Sequence, residues 1–202
     1  IGLIGATGIV KVDLDNLGSA YHSLGEIVSA VDYHQRALVI AQEIGDRRNE
    51  GIHLGNLGNA YSVLGRVGGD KDHPGAIEYY QQALVIAREI GDRRGEGSSV
   101  GNLGQVYTAL GRVEEAIEYY EQALAIAQEI GDRRGEGNRL GNLGNAYSAL
   151  GQAQQAIDFY QRALAIAQEI GDRRNEGAWL GNLGNAYSDL GEVQKAIDYY
   201  ER

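Results

Sequence analysis

The side chains of this 202-residue chain best suited to binding chemistry are amides and arginines that recur at fixed spacing. Asn56 and Asn59, Asn102 and Gln105, Asn142 and Asn145, and Asn182 and Asn185 stand at matching places in four successive stretches. Arg48, Arg94, Arg134 and Arg174 each precede the first amide of a pair by eight residues. A carboxamide offers one acceptor oxygen and two N–H donors, so a row of them matches both groups of a peptide bond and holds an extended chain without reading its side chains. A guanidinium pairs through two parallel hydrogen bonds with a carboxylate or a phosphate. The chemistry implied is capture of an extended acidic or phosphorylated segment.

Bond-making chemistry finds no such pattern. The chain has no cysteine, which excludes disulfides, thiolate metal sites and cysteine nucleophiles. His22, His34, His53 and His73 fall at unrelated repeat positions and form no HxxxH pair or triad. Asp70, Asp72 and His73 lie in GRVGGDKDHPGAIEYY (65–80), a stretch with too few oxygens for calcium, which takes six to eight, and it reads as a surface loop. The glycines of GNLG follow no strand, so they are not a phosphate loop. The expectation is an enzyme of no kind, with no catalytic residue, no metal and no cofactor.

The carriers of the amides repeat. Residues 101–140 recur at 141–180 with 26 of 40 positions identical, and the GNLG tetrad starts at 15 (as DNLG), 55, 101, 141 and 181. A period of this length means units that bury their apolar faces only against neighbours. The chain reads as one array over 1–202, with units 5–44, 45–90 carrying a six-residue insertion around 68–74, 91–130, 131–170 and 171–202. Leu140, Leu143, Tyr147 and Leu150 recur at spacings of three and four and predict an amphipathic helix A. Ala156, Ile157, Tyr160, Ala163, Leu164 and Ala167 predict helix B, closed by Gly171 in the left-handed conformation, with Asp172 as N-cap of the next helix A. The links are short enough to force antiparallel neighbours.

Along helix A, steps of three or four from Asn145 reach Asn142, Gly141, Asn138 and Arg134, so amides and arginine share one stripe. Asparagine is a poor helix former and a helical glycine costs roughly 0.5 to 1 kcal/mol against alanine, so the stripe runs against local stability. Gly55, Gly101, Gly141 and Gly181 are expected beside it, where a missing side chain admits a partner backbone. The alternative is that the asparagines bond to a neighbouring helix, and the arginines to Asp46, Asp92, Asp132 or Asp172.

Leu103, Gly104, Tyr107, Gly111, Ala116, Tyr120 and Ala123 follow a pattern that resembles the tetratricopeptide repeat (TPR) family. The forty-residue unit and Gln128 in place of the usual proline resemble its longer-helix subclass, seen in Pins-type G-protein signalling modulators and, more distantly, kinesin light chains. The resemblance implies an all-α fold, a right-handed superhelical solenoid of antiparallel helix pairs. It also implies a concave groove lined by helix A, and close approach of helices A and B at Gly58, Gly104, Gly144 and Gly184. The lysine of the family's carboxylate clamp is replaced by Asp15, Gly55, Gly101, Gly141 and Gly181, which argues against a chaperone tail as ligand.

The net charge of −10 opposes a phosphate backbone, so nucleic acid is not an expected partner, and no apolar run approaches the roughly 20 residues that span a membrane. The expected function is a cytoplasmic, non-catalytic scaffold that binds an extended acidic peptide. End-to-end self-association, or service as the sensor arm of a larger signalling ATPase, stand as alternatives. The missing initiator methionine and the stop within a helix B suggest a piece of a longer array.

Overall fold

The computed structural model describes residues 14–68 and 74–202, so the opening segment and most of the insertion, with Asp70, Asp72 and His73, lie outside the described residues. The described residues are helical hairpins throughout, without strands. They form two compact units, Ile1–Leu110 and Gly111–Arg202. The first holds α1 (14–23), α2 (Ile27–Glu43), α3 (Arg47–Gly68), α4 (Pro74–Glu89) and α5 (Arg93–Ala109). The second holds α6 (Val113–Glu129), α7 (Arg133–Ala149), α8 (Ala153–Glu169), α9 (Arg173–Asp189) and α10 (Val193–Tyr200).

Helices α2, α4, α6 and α8 each end where the sequence places a glycine-aspartate pair. Gly45 takes φ 69°, its N–H donates to the Gln42 carbonyl at 3.1 Å, and the Asp46 N–H donates to the Ala41 carbonyl at 2.8 Å. These two bonds satisfy carbonyls that the helix leaves open, and a Cβ at Gly45 would strain the left-handed turn. The following aspartate starts the next helix: Asp92, Asp132 and Asp172 accept from the N–H groups of Gly95, Gly135 and Asn175.

Burial follows the predicted period. Leu54 and Leu57 of α3, Ala83 and Ile86 of α4, and Val100 and Leu103 of α5 fill the first unit's interior. Leu140 and Leu143 of α7, Ala156 and Ile157 of α8, and Leu180 and Leu183 of α9 fill the second's. Each large apolar side chain so buried contributes roughly 1.5 to 3 kcal/mol. Helices A and B approach at the expected glycines: a Cβ on Gly58 would lie 2.6 Å from the Tyr80 ring, and one on Gly144 would lie 2.5 Å from the Tyr160 ring. A second aromatic layer joins each hairpin, with Tyr61 stacked on Tyr79, Tyr147 on Phe159 and Tyr187 on Tyr199, ring centres 5.2 to 5.3 Å apart.

Candidate functional site

The first arginine of each Arg-Arg pair is consumed by the fold. Arg47 pairs with Glu50 at 2.6 Å and with Glu89, and Arg133 pairs with Glu136 and Glu169. Glu96 receives Arg88 at 2.8 Å together with Arg93. Burial pushes the Glu96 carboxyl up, but the hydrogen bonds from Arg88 and Arg93 outweigh it and hold the group below its ordinary 4.5.

The second arginine is the one the sequence singles out. Arg48, Arg94, Arg134 and Arg174 are all exposed. Among the described residues Arg48, Arg94 and Arg174 make no ion pair, while Arg134 lies 3.8 Å from Asp172. The expected pairing with aspartate therefore holds only for Arg134.

The amide row is partly built into the fold. Asn59 Oδ1 accepts the Tyr80 hydroxyl at 2.7 Å and the Asn102 amide at 3.4 Å. Asn145 Oδ1 accepts the Tyr160 hydroxyl at 2.7 Å and the Asn182 amide at 3.1 Å, and Asn185 Oδ1 accepts the Tyr200 hydroxyl at 2.7 Å. Burial pushes the Tyr160 hydroxyl up to about 12, opposed by its Ser148 contact, so it remains a donor at neutral pH. Bonding to a neighbouring helix is thus what the acceptor oxygens of Asn59 and Asn145 do. Both lone pairs of each are used, which leaves their amide N–H groups to offer to a ligand.

Three repeat positions decide what lies between one helix A, its helix B and the next helix A. In the first unit these are Gly55 on α3, Tyr80 on α4 and Ser99 on α5. No atom lies within 4 Å of where a Gly55 Cβ would stand, and the space forms a cleft of about 220 Å³. Arg48, Asn56, Asn59 and Asn102 edge it, and Ile86 of α4 and Ile90, just past the end of α4, form its floor. Asp92 also faces it but is occupied in capping α5.

In the second unit the same positions are Gly141, Tyr160 and Trp179. The Trp179 ring packs on Gly141 and stacks on Tyr160 with centres 6.1 Å apart, and the remaining space is about 10 Å³. Gly141 is therefore filled by protein, against the expectation that it lies open, whereas Gly55 and Gly181 have nothing within 4 Å. Arg134 and Asn138 edge this closed niche. Arg94, Gln105, Asn142, Arg174 and Asn185 line neither cleft.

Sequence reading missed the floor. It describes a stripe of amides and arginines on helix A, yet Ile86 of helix B and Ile90 just beyond it contribute an apolar surface. The signal was the recurrence of isoleucine at 86, 90, 126, 130, 166 and 170; Ile86 and Ile166 lie against Gly51 and Gly137 of the preceding helix A.

Residues 14–48, 69–129 and 135–202 match family models described as tetratricopeptide repeat. The chain belongs to the tetratricopeptide repeat family. A 50-residue stretch, 25% of this chain, is 50% identical to human G-protein-signaling modulator 1, of which it spans 7%. The fold is similar to that of BtubC (BKLC) from P. vanneervenii, with a TM-score of 0.84 and 26% identity over 97% of this chain and 79% of that one. It is also similar to the tetratricopeptide-like repeats of a putative kinesin light chain from Podosopora anserina, with a TM-score of 0.73 and 23% identity over 94% and 90% of the two chains. No helix among the described residues is long and apolar enough to cross a membrane.

Proposed function

We propose that this tetratricopeptide chain is a non-catalytic scaffold that captures an extended peptide carrying an acidic residue beside a bulky apolar one. The open cleft at Gly55 and Ser99 carries this reading. Its floor takes an apolar side chain, unpaired Arg48 at its edge takes a carboxylate, and the amide nitrogen of Asn59 donates to the peptide backbone. The amide row does double duty, since the same Asn59 that ties α3 to α4 and α5 keeps its donors.

A displayed library of disordered peptide segments, selected on the parent chain and on Arg48→Ala, tests the proposal. The expected outcome is an acidic motif with an adjacent large apolar residue that is depleted on Arg48→Ala. Equal enrichment on both chains, or a motif without acidic residues, contradicts it.

Self-association is a second reading, favoured by Val193, Ile197 and Tyr200 of α10, which are exposed to 62%, 41% and 53%. Such side chains suit burial against another helix pair. Mass measured by light scattering across a concentration series separates the two: a constant monomer mass removes this reading and leaves the peptide scaffold.

A further inference from the structure

The niche that is open at Gly55 and filled by tryptophan over Gly141 has a third form in the first repeat. There the glycine position is Asp15 on α1, the tyrosine position is His34 on α2, and the serine or tryptophan position is His53 on α3. Three positions that elsewhere hold no metal-binding side chain, or only a phenol, thus depart together, each to a residue that binds metal ions. The departures converge on one point. His34 Nδ1 lies 3.5 Å from Asp15 Oδ1, His53 Nδ1 lies 3.3 Å from the same oxygen, and one ligand atom from each residue falls within 4.8 Å of the others.

We propose that Asp15, His34 and His53 form a divalent-cation site of zinc type. Zinc bonds of about 2.0 to 2.1 Å in a tetrahedron set neighbouring ligand atoms about 3.3 Å apart, close to the two separations observed. Two imidazoles and one carboxylate are a common three-ligand set for this ion, with solvent taking the fourth place. Asp15 keeps 36% of its side chain accessible and gives the entry path, while the two rings are 2% and 1% exposed. Buried His34 Nδ1 has no hydrogen-bond partner among the described residues although it faces the carboxylate, a state that a shared cation satisfies.

Further observations agree. The Asn56 amide donates to Asp15 Oδ1 at 3.3 Å and so orients the carboxylate, as outer partners of metal ligands do. Ser19 occupies the place of Asn59, and His34 has no hydroxyl to donate to an amide there. The bound ion would tie α1, α2 and α3 at one point.

The experiment is titration of the tag-free, chelator-treated chain with Co²⁺, followed by displacement with Zn²⁺. Asp15→Gly, His34→Tyr and His53→Ser each install the residue found at the same position of the second repeat, and circular dichroism checks that they remain helical. The parent is expected to bind one equivalent with a visible tetrahedral cobalt spectrum, and each variant to bind at least about tenfold more weakly. NMR of the parent provides a readout independent of the variants: Zn²⁺ shifts the ring resonances of His34 and His53. No saturable one-equivalent binding, undiminished binding by the folded variants, or shifts confined to His73 would overturn the proposal.

Discussion

At position 99 a serine stands where position 179 has a tryptophan, and the space beside each differs accordingly, about 220 Å³ against about 10 Å³. Ser99→Trp should be tolerated, because Gly55 leaves room where Gly141 accepts the Trp179 ring. Trp179→Ser opens a cavity over Gly141, and an expected loss of about 3 kcal/mol in denaturant unfolding checks that the ring is a structural filler. Gly58 admits no such change: a methyl there meets the Tyr80 ring at 2.6 Å, so Gly58→Ala is expected to cost about 1 to 3 kcal/mol by the same measurement. Glu96 carries a pH signature. Its folded value lies below 4.5, so its contribution is fully present above that pH and is lost as pH falls through the folded value. The melting-temperature gap between parent and Glu96→Gln should be constant from pH 6 to 8 and shrink below about pH 4.5; a gap that widens on acidification contradicts the ion-pair account.

At the scale of the helices, the capping aspartates Asp92, Asp132 and Asp172 do most to set where α5, α7 and α9 start. Asp132→Ala removes the acceptor of the Gly135 N–H and should cost about 1 kcal/mol, read from thermal unfolding. Helix limits were legible in the sequence because period, Gly-Asp pairs and link lengths are local properties. Close approach at Gly58 and Gly144 was legible through the family resemblance, and the structure shows it as contact with Tyr80 and Tyr160. Side chains meeting across three helices were not. Tyr80 reaches Asn59 across 21 residues, and Asp15, His34 and His53 stand on α1, α2 and α3, so they share no spacing along the chain. The histidines looked unrelated because each belongs to a different face of the repeat. Only when the three helices are packed do those faces enclose one niche.

At the scale of the whole molecule, recurring helix pairs of one plan provide a series of niches whose contents vary independently: Asp15 with two histidines, an open cleft at Ser99, a tryptophan at 179. Such variation is cheap in a repeat fold, since each niche depends on its own and adjoining helices alone. The net charge of −10 sets a general repulsion for an acidic ligand, against which Arg48 must act locally. The most direct measurement is the affinity of the selected acidic peptide for the parent and for folded Ser99→Trp. Filling the cleft with the ring that already fills its counterpart is predicted to weaken binding at least about tenfold. Unchanged affinity in the folded variant would contradict the claim that this cleft holds the peptide.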